Sequence, residues 1–106
     1  IGVRLVGSEM CIRDRLRAGS ALIDIVSVDG TLGQLGGEAP AEGGRNMDHF
    51  CVVLEKFDEM EIRSHLAKFN ISGTDLEQRY GAIGYGPSMY LQDPEGNTIE
   101  LKGEVI

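Results

Sequence analysis

The sequence predicts a mixed α+β fold in which one helix covers one face of a four-stranded sheet. From His49 onward, the residue patterns follow the order strand, helix, strand, strand, strand. Two observations support this order: apolar residues alternate over residues 46–55, and a strong turn sequence at 93–97 separates two further strand patterns. A chain of 106 residues can form one core but has no room for a second independent domain.

Composition excludes several classes of protein. Ten basic and seventeen acidic residues give a net charge of −7, so we expect no nucleic-acid partner. No apolar run approaches the roughly 18 residues of a membrane-spanning helix, so we expect no membrane partner. The two cysteines, Cys11 and Cys51, are too few for a disulfide scaffold and fit a cytoplasmic, reducing compartment. An enzyme, a small-molecule binding module and an interaction domain remain.

The predicted helix begins at a clear capping signal. Asp58 can cap its first turn, and Glu61 follows three residues later as in a capping box. Asn70 is the expected stop. The spacing i, i+4, i+7 predicts a buried stripe made of Ile62, Leu66 and Phe69.

The segments after the helix read as strands and turns. Residues 71–80 predict a short strand, and Gly81–Gly86 predict a mobile loop. Residues 88–92 and 98–102 predict a hairpin joined by the turn at 93–97, because proline presets a turn and glycine accepts positive φ.

The front of the chain has weaker patterns. Residues 1–15 show neither strand alternation nor a helical stripe, and VGSEMCIRDR resembles the conceptual translation of a sequencing adapter. A floppy native terminus is the alternative, and we assign no function to this segment. Residues 19–28 predict a strand, and the glycine-rich residues 29–45 predict a long flexible connection.

Three polar residues interrupt apolar strand patterns: Asp24, His49 and Glu100. An imidazole with carboxylates suits a divalent Ni, Zn, Mn, Fe or Co ion. Each residue alone is also compatible with a packed or solvated strand position. Tyr90 and Ser88 share a strand face and are candidate substrate contacts, the alternative being a face in water.

Arg79 precedes the glycine-rich segment and is a candidate contact for an anionic substrate group. Turn geometry alone also accounts for the glycines that follow it.

Two sequence stretches resemble the C-terminal module of the vicinal oxygen chelate superfamily, over roughly residues 16–103: GRNMDHFCVVLE and GPSMYLQDPEGNTIELKG. This family contains glyoxalase I, extradiol dioxygenases, fosfomycin-resistance proteins and bleomycin-binding proteins, and it pairs two βαβββ modules around a divalent metal. The resemblance implies one complete βαβββ module at 46–106, the second half of a paired-module glyoxalase-like fold. Residues 16–45 would hold the last strand of the first module and a linker, the rest of that module being absent.

The resemblance also implies roles for individual residues. His49 occupies the first-strand ligand position, Glu100 the last-strand ligand position, and Asp24 the place of the first module's last-strand glutamate. Glu100 would also move the proton during catalysis.

The implied function is that of a metal-dependent glyoxalase-like lyase or isomerase, which acts on a small-molecule substrate through two vicinal oxygens. The alternatives are an extradiol dioxygenase, a fosfomycin-resistance-type transferase and a metal-free drug-binding protein. A homodimer is expected for the full-length form. The truncated fragment itself is expected to be inactive and to bind metal weakly.

Overall fold

A computed structural model of the chain describes residues 1–5, 14–40 and 44–104. The chain divides into two units, Ile1–His49 and Phe50–Ile106. Helices and strands occur together, so the predicted α+β class is confirmed. Cys11 and most of the adapter-like segment lie outside the described residues.

The first unit is built on three short strands and one helical turn: β1 (Gly2–Leu5), β2 (Asp14–Ala18), β3 (Ala21–Ser27) and α1 (Thr31–Leu35). Strand β1 pairs with β3 in parallel, and β2 pairs with β3 in antiparallel register. The β2–β3 turn includes Gly19 at a φ of 62°, a backbone conformation that favours glycine.

The structure differs here from the sequence expectation. Strand β1 and the start of β2 lie in the segment where no regular pattern was found, and α1 lies in the predicted flexible connection. For β1 the reason is non-local, because its ladder comes from β3, about twenty residues away. Strand β2 forms a local hairpin with β3 across the two-residue turn at 19–20, a turn that the sequence analysis did not recognise. The origin of residues 1–15 stays a prediction.

The second unit contains the predicted module. Strand β4 (Met47–Leu54) enters it from the first unit, and the remaining elements follow in the order α2 (Glu59–Ala67), β5 (Glu77–Gly81), β6 (Gly84–Gln92) and β7 (Thr98–Gly103). The strands lie in the order β4-β7-β6-β5, with β4 and β7 parallel and the other neighbours antiparallel. The predicted βαβββ order is confirmed.

The two units share a ladder pattern. In the second unit, the first strand β4 runs parallel to the last strand β7, which pairs antiparallel with β6. In the first unit, β1 runs parallel to β3, which pairs antiparallel with β2. The first unit therefore holds three strands in the pattern of a module, where the sequence resemblance implied only the last strand.

Helix α2 begins as the sequence predicts and ends earlier. The Asp58 side chain accepts a hydrogen bond from the backbone N–H of Glu61 at 3.0 Å, so the predicted cap is confirmed. The helix ends at Ala67, and Asn70 adopts a left-handed φ of 59°. Phe69 therefore leaves the helical stripe and is 63% exposed, so its predicted burial is wrong.

The segment predicted as a mobile glycine-rich loop is a tight hairpin instead. Residues Gly81 and Gly84 are paired across a two-residue turn, and β6 already begins at Gly84. The second predicted hairpin is confirmed, because β6 and β7 are joined by a turn in which Asp93 Oδ1 accepts from the backbone N–H groups of Glu95 and Asn97.

Within the described ranges, neither helix has the length and apolar character that crossing a lipid bilayer would need.

The cap at Asp58 leads to a prediction about the free energy of unfolding. Asp58→Ala removes the acceptor for an N-terminal helix N–H and should lower the free energy of unfolding by about 1 kcal/mol. Asp58→Asn keeps a side-chain oxygen and should stay close to the parent chain. Urea denaturation of the three proteins checks this, and equal losses for both variants would contradict the capping role.

Candidate functional site

A row of polar side chains crosses three neighbouring strands of the second unit. Glu100 in β7 is aligned with Cys51 in β4 on one side and with Tyr90 in β6 on the other. Aligned residues of neighbouring strands project to the same face of a sheet, and alternation adds Ser88 and Lys102 to that face. We call these five residues the polar row.

Glu100 is a buried carboxylate held by a short hydrogen bond. Its residue is 6% exposed, and its Oε1 accepts from the Ser88 hydroxyl at 2.6 Å. Ser88 itself is fully buried. Because a buried carboxylate is unfavourable without hydrogen-bond donors, this contact both stabilises the charge and fixes the orientation of the side chain.

Cys51 is half-buried against Glu100. Burial, followed by the negative charge of Glu100, raises the pKa of the Cys51 thiol from 9.0 to about 11. A hydrogen bond to Glu100 acts in the same direction. The thiol is therefore a neutral donor to the carboxylate at physiological pH and a poor nucleophile.

Lys102 brings a buried positive charge to the same face. It is 1% exposed, and its Nζ donates to the backbone carbonyls of Arg79 and Gly86. A Cβ atom added at Gly81 would lie 3.3 Å from Lys102 Cε, so this glycine leaves room for the lysine side chain. Sequence reasoning missed Lys102, although its spacing of two from Glu100 was the available signal.

The three predicted substrate contacts have different surroundings. Tyr90 is half-buried, and its backbone N–H donates to Thr74 Oγ1 at 3.0 Å. Ser88 is engaged with Glu100. Arg79 lies in β5, where it forms an ion pair with Glu77. Their contact with a substrate stays a prediction.

The first unit carries the two remaining predicted ligands. Asp24 in β3 and His49 in β4 are both aligned with Gly2 in β1, the strand between them. Because Gly2 is a glycine, no side chain of β1 stands between the two residues. Asp24 Oδ1 lies 3.3 Å from Arg15 Nε. His49 Nδ1 lies 2.7 Å from Asp48 Oδ2, and because a carboxylate can only accept, the ring donates its Nδ1–H.

The three predicted ligands are divided between the two units, with Asp24 and His49 in the first and Glu100 in the second. A bound transition metal generally takes three or more protein ligands. Across residues 1–5, 14–40 and 44–104, no three His, Cys, Asp or Glu side chains are grouped so that they could hold one ion. Glu100 accepts from a hydroxyl, and Asp24 faces an arginine. The ligand set of His49, Glu100 and Asp24 therefore stays a prediction.

Comparisons with known proteins give structural likeness only. No protein-family model and no curated protein matches the chain. An integron cassette protein from the mobile metagenome of V. cholerae is 22% identical, with 88% of this chain and 70% of that chain covered and a TM-score of 0.49. A virulence protein from Salmonella typhimurium is 20% identical, with coverages of 98% and 94% and a TM-score of 0.49.

A glyoxalase/bleomycin resistance protein/dioxygenase from Alicyclobacillus acidocaldarius is 14% identical, with coverages of 100% and 91% and a TM-score of 0.40. Identities and TM-scores at this level do not transfer an activity or a substrate.

The architecture of the second unit matches what the sequence motifs implied. One helix follows the first strand, three strands come after it, and the first and last strands pair in parallel. The second unit has the fold of a glyoxalase-like module. In this glyoxalase-like module, the last-strand carboxylate is Glu100, and the residue aligned with it in the first strand is Cys51.

The contact between Cys51 and Glu100 predicts an unusual thiol titration. In a Cys11→Ser background, alkylation of Cys51 should rise with pH around a midpoint near 11, well above that of an ordinary cysteine. Glu100→Gln removes the negative charge that favours the protonated thiol, so the midpoint should fall and alkylation at pH 9–10 should become faster. Mass spectrometry of the alkylated protein measures both.

Glu95→Gln is the matched control, since it neutralises an exposed carboxylate in the β6–β7 turn. An equal shift in both variants, or no shift in Glu100→Gln, would contradict the contact.

Proposed function

We propose that this glyoxalase-like chain is an enzyme that moves a proton on a small substrate with two neighbouring oxygens, and that Glu100 is its proton-transferring group. The observation that supports this role is the placement of Glu100: a buried carboxylate, oriented by Ser88, in the centre of the polar row. A carboxylate used as a base needs a fixed orientation and a site from which bulk water is largely excluded.

In the proposed reaction, Glu100 takes a proton from the carbon next to a carbonyl and returns it to the adjacent carbon. The electron pair of the broken C–H bond forms a C=C bond, and the carbonyl oxygen becomes transiently negative. When Glu100 returns the proton to the former carbonyl carbon, the hydroxyl proton of the first carbon passes to this oxygen, so the first carbon becomes the carbonyl and the second carries the hydroxyl. No oxidant or reductant is consumed. Ser88 holds the carboxylate during both transfers. Cys51 stays a neutral donor throughout because the pKa of its thiol is raised.

Three further residues are assigned roles in binding. The Tyr90 side chain, next to Glu100 in the polar row, would donate to a substrate oxygen. Lys102 places its positive charge on the same face, which favours the negative oxygen that develops during the reaction. Arg79 at the edge of the sheet would contact an anionic group of the substrate.

These steps use side chains alone. The resemblance implies a metal-dependent form of the chemistry, with His49 and Asp24 as further ligands. If bound there, a divalent ion would stabilise the negative oxygen that develops during the reaction.

Metal-free binding of a small molecule is the second candidate function. It is favoured by the internal hydrogen bonds of Glu100, because a carboxylate satisfied by Ser88 and Cys51 can also serve a purely structural purpose.

Turnover assays separate these functions. The purified chain, alone and with each of the five metals named above, would be supplied with the hemithioacetal of methylglyoxal and glutathione, and thioester formation followed by absorbance. Because the first unit holds three strands in the pattern of a module where the sequence implied only one, we expect turnover by the parent chain in place of the inactivity expected from the sequence. Glu100→Gln should lower kcat by about 10²–10⁴-fold. Catechol, and fosfomycin with a thiol, test the dioxygenase and transferase alternatives.

Glu95→Gln should retain the parent rate. Absence of thioester product under every condition contradicts the lyase proposal, and turnover that survives Glu100→Gln contradicts the role of the carboxylate.

A further inference from the structure

An open cleft of about 670 Å³ lies in the second unit, and its lining among the described residues includes Tyr90 but not Glu100. It is bounded by the segment that follows α2 and by the last residues of β6 with the turn after them. Its lining includes Phe69, Ile71, Thr74, Tyr90 and Gln92. Cavities of this size accommodate drug-sized ligands.

The last residue of β6, Gln92, presents its backbone N–H and C=O to this cleft, as the pairing of Tyr90 two residues earlier shows. Tyr90 directs its N–H and C=O away from β7, because they bond to Thr74 Oγ1 at 3.0 Å and to the Thr74 N–H at 2.9 Å. In an antiparallel ladder, residues two apart direct their backbone groups to the same side. Gln92 therefore directs its N–H and C=O to that side too, and within the described chain no strand residue is paired with it there.

The other lining residues indicate what kind of ligand would fit the cleft beside Gln92. Phe69 is 63% exposed on the cleft wall, and Ile71 is half-buried beside it, so the cleft offers apolar surface. The acidic lining residue, Asp93, already accepts from Glu95 and Asn97 in the turn. An uncharged, partly apolar ligand is therefore complementary to the lining.

We propose that this cleft binds a short, uncharged acylated amino-acid unit, whose N–H and C=O pair with the C=O and N–H of Gln92. One N–H and one C=O on the same amino-acid residue match the two groups that a single strand residue presents. The apolar side chain of the ligand packs against Phe69 and Ile71. Because β6 ends at Gln92 and a turn follows, one paired residue is the limit, and a longer added strand gains no further ladder.

The test uses N-acetyl-L-phenylalaninamide as the probe and the amide spectrum of the ¹⁵N-labelled chain as the readout. We expect saturable shifts centred on the amides of Gln92 and Thr74. N-acetyl-N-methyl-L-phenylalaninamide keeps the ring and the carbonyl but lacks the pairing N–H, and it should bind about tenfold more weakly.

Variants separate this site from the proposed function. Phe69→Ala should weaken binding of the probe several-fold. Tyr85→Ala truncates an exposed aromatic residue of β6 that does not line the cleft, and it should leave binding unchanged. Glu100→Gln should also leave the affinity for the probe unchanged. Binding in the cleft can therefore be measured even if the turnover assay fails. Shifts centred away from Gln92, equal affinities for the two probes, or no saturable shift each overturn the proposal.

Discussion

The burial of one carboxylate constrains the second unit of this protein more than any other interaction. Glu100 lies on a central strand with almost no exposure, and such a charge is tolerated only when donors surround it. Ser88 provides a hydroxyl at 2.6 Å and Cys51 a thiol, each from a different neighbouring strand. The register of β4, β6 and β7 is thereby tied to the chemistry of one side chain, because a one-residue slip would move the donors to the opposite face.

A second buried charge organises the edge of the same sheet. The Lys102 ammonium donates to the backbone of β5 and β6, and Gly81 leaves space for its side chain. Gly86 is constrained for a separate reason, since a Cβ atom there would lie 2.6 Å from the carbonyl oxygen of Gly103. The glycines that look like a flexible segment in the sequence are thus positions of close approach in a regular hairpin.

Local chemistry made part of the fold predictable. The cap at Asp58 and the turn around Asp93 depend on residues within four positions, so their signals are contained in the sequence itself. Phe69 was misplaced because the end of α2 depends on the left-handed backbone at Asn70, and helical spacing carries no information about that. Strand β1 was missed because its ladder comes from β3, which is distant along the chain, and β2 was missed because the two-residue turn that joins it to β3 was not recognised.

The candidate site was predictable to a similar extent. Sequence reasoning named Glu100 from a motif and Ser88 from alternation along its strand, but it named Ser88 as a substrate contact and not as the partner of Glu100. The partnership with Cys51 requires the parallel register of β4 and β7, and that register is a tertiary property. Lys102 reads as an ordinary surface lysine until its backbone partners are known.

A double-mutant cycle on the Ser88–Glu100 pair addresses the central interaction most directly. The free energy of unfolding would be measured for the parent chain, Ser88→Ala, Glu100→Met, which removes the acceptor oxygen at similar size, and the double variant. A buried hydrogen bond to a carboxylate gives a coupling energy of about 1.5–3 kcal/mol. Effects that add to within about 0.5 kcal/mol would mean that the two side chains do not support each other, which would contradict this account of the polar row.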